Sequence, residues 1–184
     1  MIGDTNDGIR NSLATHPELR CEGKEVVFAD PQSPPIRINL RVDEPHQLIY
    51  LARLLAALGY EEAHFRHSYL WLTTWGVWDG GTEAVAFKIF EQFRRSHGEN
   101  RSLESAPGTH FRHDEFVESV CCLVQPILVG WDAYYVPTWA YGSLDYFVFV
   151  SHDGFADIRV RTPEVRQQCE QALSGYNWIQ PLMK

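Results

Sequence analysis

WDAYYVPTWAYGSLDYFVFVSHDGFADIRVRT, residues 131–162, reads as three consecutive strands joined by two tight turns. Leu144 to Val150 is apolar at every position except Asp145, so the middle strand calls for cover on both faces. Ala156, Ile158 and Val160 alternate with Asp157, Arg159 and Arg161, which gives the third strand one core face and one face toward water. Between them, Asp153-Gly154 predicts a type I′ hairpin turn, in which both central residues take positive φ. Tyr141-Gly142-Ser143 predicts the other turn. Pro137 has no N–H to offer a ladder, so the first strand is expected to bulge or to have a locally open edge there.

Upstream, Lys24–Ala29 and Ile36–Val42 read as strands joined by the proline-rich loop Asp30–Pro35. Asp43 is placed to cap a helix that carries Leu48, Leu51, Leu55 and Leu58 and stops at Gly59. His67–Trp78 predicts a long strand with a bulge at Gly76, followed by the turn Asp79-Gly80-Gly81-Thr82. Val85, Ala86, Ile89, Phe90 and Phe93 mark a second helix, closed by Gly98. After the polar loop Glu99–Gly108, a third helix runs from Asp114 to Gln125, where Pro126 is expected to end or kink it. Thr162-Pro163 opens a fourth, with Gly175 at its end. Residues 1–22 read as a weakly structured segment with a short helix near Ile9–Ala14. Residues 176–184, with Trp178, Ile179 and Leu182, read as a docked tail. The order predicts a single α+β domain over residues 1–184. Its sheet is mostly antiparallel or mixed, of about six strands with a C-terminal three-strand meander, packed by about four helices.

The 184 residues are enough for one core without a metal or disulfide, and 45% hydrophobic content with 13% aromatics excludes disorder for all but the ends. A formal charge of −8 argues against a nucleic-acid partner and favours a basic one. No apolar run approaches the ~20 residues that cross a bilayer, and no signal-like segment opens the chain, so a cytoplasmic protein is expected. Cys21, Cys121, Cys122 and Cys169 lack framework spacing and are expected as free, mostly buried thiols.

His-Phe-Arg-His occurs twice, at His64–His67 and His110–His113. Two such pairs offer four imidazoles to zinc, with Asp114 beside the second. On a strand, however, residues three apart face opposite sides, so convergence needs a turn or loop. Ser151-His152-Asp153 has the residue types of a nucleophilic triad, but strand neighbours cannot form its hydrogen-bond relay, leaving His152 or Asp153 to act at a cleft rim. Asp79-Gly80-Gly81-Thr82 could hold an anion on backbone N–H groups, yet it lacks the P-loop lysine and reads first as a turn.

Aromatic residues suggest a different surface. Trp71, Trp75, Trp78, Tyr134, Tyr135, Trp139 and Tyr141 fall on strands expected to share one sheet. Most of these rings are expected in the core, where bulky aromatics supply buried area, while an exposed subset beside acid groups would suit a cation or anchor a protein. The leading expectation is therefore a non-enzymatic binding protein, of the inhibitor or immunity type. It would engage a protein partner through Trp71, Trp75, Trp78, Asp79, Tyr135 and Trp139. The alternatives are a small enzyme or ligand-binding domain, possessing a Trp/Tyr-lined pocket served by His110, His113, His152 or Asp153 and using zinc at His64, His67, His110 and His113, or a homodimer formed through the aromatic surface.

Overall fold

The computed structural model describes residues 1–40, 45–74, 85–140, 142 and 144–175. Nine strands and five helices follow in the order β1 (Ile2–Asp4), α1 (Asn6–Leu13), β2 (Leu19–Glu22), β3 (Glu25–Phe28), β4 (Ile36–Asn39), α2 (Pro45–Ala57), β5 (Phe65–Leu72), α3 (Val85–Ser96), β6 (Gly108–Phe111), α4 (Phe116–Val129), β7 (Ala133–Trp139), β8 (Tyr146–Ser151), β9 (Phe155–Val160) and α5 (Pro163–Ser174), counted among the described residues. Seven strands form one antiparallel sheet, ordered β1-β6-β5-β7-β8-β9-β4, and β2 and β3 form a separate hairpin. The fold class is thus α+β, and the meander β7–β9 lies within the sheet as adjacent strands.

Strand alternation divides the core. Leu70, Leu72, Tyr135, Trp139, Tyr146, Val148, Ile158 and Ile38 point to one face, where they share a cluster with buried residues of α2, α3, α4 and α5. Tyr69, Trp71, Tyr134, Val136 and Phe147 point to the other, under Ile9 and Leu13 of α1 and Leu19, Val26 and Phe28 of the hairpin. We call these the inner and outer faces. β8 is buried on both sides at Tyr146, Phe147 and Val148.

Several local expectations are corrected. The β8–β9 turn is not type I′: Ser151 pairs with Phe155, so three residues form the loop, and only Gly154 has positive φ, at 80°. Gly154 N–H donates to Ser151 O at 3.1 Å, a tight turn followed by a left-handed residue that only glycine takes without strain. Pro126 lies inside α4 and does not end it. The helix closes one turn later at Gly130, φ 67°, where Gly130 N–H and Trp131 N–H both donate to the Pro126 carbonyl. Pro137 sits beyond Tyr135, the last β7 residue paired with β8, so its missing N–H falls on a locally open edge.

The first 22 residues carry a sheet strand, a helix capped by Thr5, and half of the hairpin. Their weak periodicity reflects short elements and not a lack of structure. A bulge occurs at Arg66, between the Phe65–Trp139 and His67–Thr138 pairs. It turns Phe65 to the inner core while His67, Tyr69 and Trp71 keep the outer face. The Asp43 cap, the Gly76 bulge, the 79–82 turn, Tyr141 and the 176–184 tail lie outside the described residues.

Candidate functional site

The aromatic set is the first to be relocated. Trp71, Tyr135 and Trp139 are buried, as is Tyr134, so none forms part of an exposed binding face. Trp71 is pinned under α1, its Nε1–H donating to Asn6 Oδ1 at 2.9 Å. Tyr135 lies beneath α4, within 3.1 Å of Ser119 Oγ, and Trp139 stacks on Tyr60 at 4.8 Å between ring centroids. The physical reason is cover: α1 with the hairpin closes one face and the helices close the other, and large rings supply the area that is buried. Trp75, Trp78 and Asp79 lie outside the described residues.

The two His-Phe-Arg-His segments contribute one imidazole each to a cluster. β5 and β6 pair so that Tyr69 stands opposite His110, and the rings stack at 4.7 Å. His67, two residues earlier on β5, lies 5.5 Å from His110 and 6.0 Å from His16, which arrives from the loop between α1 and β2. His64 lies in the short turn before β5, and His113 lies in the exposed loop after β6, so neither joins. Half-burial favours neutral rings here: desolvation first, then His110 and His16, pushes His67 down to about 4. Desolvation also lowers His16 and His110, against the pull of Glu18 on the first and Glu115 on the second. Among the described residues, no group of three His, Cys, Asp or Glu side chains is arranged to hold a metal ion.

A second imidazole is oriented in a different way. At the start of β7, Asp132 accepts the His152 backbone N–H and its Nδ1–H on the same oxygen, Oδ1, both at 2.8 Å. Thr74 Oγ1 accepts the Asp132 N–H at 3.1 Å, and Thr73 N–H donates to the Asp132 carbonyl at 2.9 Å. Asp132 is thereby held by the segments that follow β5 and β8. Its hydrogen bond holds the His152 imidazole above its ordinary value, with Asp153, 3.5 Å from Nε2, adding to the effect. Ser151 Oγ accepts the Asp153 N–H at 3.2 Å and so serves the turn. The orienting carboxylate of His152 is Asp132 rather than the neighbour in sequence. No local pattern marks Asp132; only the register placing Ala133 opposite Val150 brings residues 132 and 152 together.

The remaining polar interior is structural. Arg94 is buried and donates to Ala106 O, its charge offset by nearby Glu99. Hydrogen bonds from Arg101 hold Glu99 itself at about 2. Desolvation pushes the buried Cys122 and Cys169 thiols up, the second to about 12. The four cysteines are free, as expected, but Cys121 is exposed and Cys21 half-buried.

Exposed apolar side chains concentrate on the helical layer. Ile49 and Tyr50 of α2, Val85 and Ile89 of α3, and Val117 and Leu128 of α4 are each more than half exposed. Val117, Cys121 and Leu128 fall at helical spacing on one stripe of α4, with Asp114 and Glu118 beside its N-terminal end.

The fold and these sites define a class, an α+β domain with a seven-stranded antiparallel sheet covered unequally on its two faces. Comparison with protein-family models, curated proteins and solved structures gives no match. Among the described residues, no helix is long and apolar enough to cross a membrane.

Proposed function

We propose that this is a non-enzymatic cytoplasmic binding protein that docks a protein partner on the outward side of α2, α3 and α4. The observation that carries the reading is the set of large apolar side chains exposed there, Ile49, Tyr50, Val85, Ile89, Val117 and Leu128. Scattered exposed apolar residues are ordinary, but Val85 and Ile89 on α3, and Val117 and Leu128 on α4, recur at helical spacing, as an apolar anchor on a partner requires. The formal charge of −8, with Asp114 and Glu118 flanking Val117, favours a basic rim on the partner. Free thiols are consistent with a reducing compartment.

The test is affinity capture from native lysate with the double variant Val117→Asp/Leu128→Asp run alongside. A partner retained by the wild type and lost from the variant, at unchanged melting temperature, supports the reading. Equal retention by both, or none by either, overturns it. Sedimentation of the pure protein against concentration tells a second copy of this chain from a foreign partner.

One observation favours a second reading, a small enzyme using acid–base chemistry. The imidazole of His152 is oriented through Nδ1 by a fixed carboxylate, as a general base requires. Hydrolytic activity on a panel of activated esters that is lost in His152→Ala and reduced in Asp132→Asn would move the balance to it.

A further inference from the structure

We propose that the cleft between β9 and the proline-rich loop 31–35 binds a small apolar monocarboxylate, whose carboxylate is held by Arg159. The site is separate from the helical surface and independent of its role.

The cleft encloses about 520 Å³, within the roughly 300–1,000 Å³ of small-molecule sites. Val27, Phe28, Pro31, Pro34 and Pro35 make its apolar lining, Gln32 and Ser33 add neutral polar groups, and Val160 borders it while its side chain is buried in the inner core. Arg159 is its single ionisable lining residue. One cation set in an apolar wall matches an apolar body with one negative head. A polyanion would find no second cation in the lining, and the acidic balance of the chain disfavours it further.

Arg159 has unused hydrogen-bonding capacity. Its Nε is buried and makes no hydrogen bond, so the terminal Nη groups are the ones a ligand in the cleft can meet. Its ion pair, Nη2 to Glu25 Oε1, spans 3.6 Å and involves a half-exposed carboxylate. That is longer than the ~2.7–2.9 Å of a charge-assisted bond, so the two-pronged geometry a guanidinium offers is not used by Glu25. A planar carboxylate uses it. The backbone of Arg159 is fixed by pairing with Phe147 in the β8–β9 ladder.

The opposite wall is preorganised. Three prolines restrict φ along the loop, and the Arg166 guanidinium donates to the Pro34 carbonyl, tying the loop to α5. Little ordering is then left for the ligand to drive. Proline also has no N–H, so this wall offers few donors to a head group and leaves its recognition to Arg159.

The test titrates isotope-labelled full-length protein with phenylbutyrate and, in a parallel arm, with its primary amide. Saturable shifts of the Val27 methyl signals are expected for the acid. Binding should weaken at least about tenfold for the amide and for Arg159→Gln, the loss of one good charge-assisted contact. Arg159→Lys, which keeps the charge but not the fork, should fall between. Ser33→Trp fills the cleft from the loop without touching Arg159. It should abolish binding at unchanged melting temperature, so the result stands even if Arg159→Gln fails to fold. Equal binding of acid and amide, undiminished binding to Ser33→Trp, or no saturable shift up to about 5 mM overturns the proposal.

Discussion

The two faces of the sheet are built from the same strands yet covered in different ways. The inner face is almost wholly apolar and lies under four helices, with Tyr135, Tyr146 and Trp139 sealed beneath them. The outer face has a compact apolar centre at Trp71, Tyr134 and Phe147, covered by one short helix and a two-stranded hairpin. Around that centre the outer face turns polar. The imidazole cluster lies at the β5–β6 side. At the β9–β4 side Arg37 grips Asp157 through two hydrogen bonds of 2.6 and 2.7 Å, and Arg159 borders the cleft. A small cover buries a small area, so the outer face keeps titratable groups half in solvent, where they can respond to pH or meet a ligand.

The strongest test of that contrast is Phe147→Ala. If the outer centre is as dry as the inner face, the change costs about 3–5 kcal/mol in a urea titration; a loss under about 1 kcal/mol would show that α1 and the hairpin cover it loosely. Trp71→Phe keeps one aromatic ring but removes the fused pyrrole ring and its hydrogen bond to Asn6, and should cost about 2–3 kcal/mol. Hydrogen exchange in that variant should rise in α1 while α2 and α4 stay protected; uniform loss of protection would break the distinction between the two covers.

Acid should separate the faces next. His67, lowered to about 4, with His16 and His110 shifted in the same direction, is neutral in the fold, whereas the unfolded chain takes up protons near 6.5. Their contribution is complete above pH ~6.5 and declines as pH falls toward ~4. Tyr69, Asp4, Glu18, Glu115, Arg112 and the Met1 ammonium, which pairs with Glu115, also face the cluster. His67→Phe should flatten the decline, and an unchanged melting-temperature profile between pH 4 and 6.5 would remove the cluster from the explanation.

His152 should behave with the opposite sign and a smaller effect. Its value is raised by Asp132, so its contribution is complete below the ordinary histidine range and is lost as pH rises through the raised value. With the side chain about a third exposed, solvent screens the pair and Asp132→Asn should cost no more than about 1 kcal/mol. The sharper measurement is the titration of the His152 ring by NMR, which should move down toward the ordinary value in Asp132→Asn. A titration midpoint indifferent to that change would dissolve the pair.

Much of the architecture is legible along the chain, for reasons that are local. The continuous apolar run over 146–150, the alternation over 155–160 and the stops at Gly59 and Gly98 each depend on residues a few positions apart. Pro126 shows the limit, since tertiary burial of α4 and closure onto the Pro126 carbonyl carry the helix one turn beyond it. Among the site residues, His67 and His110 were visible as a repeated tetrapeptide. His16 carried no comparable signal because its neighbours form short elements.

By itself, the sequence determined the α+β class, the three-strand meander and which side chains alternate along each strand, because periodicity is written in near neighbours. Tertiary structure alone decided which face buries Trp71 and Tyr134 and which buries Tyr135 and Trp139, and that a bulge at Arg66 divides Phe65 from His67. It also paired Asp132 with His152 and set Arg159 against a proline wall. Those outcomes depend on strand register and on which distant segment covers a face, neither of which any local window contains.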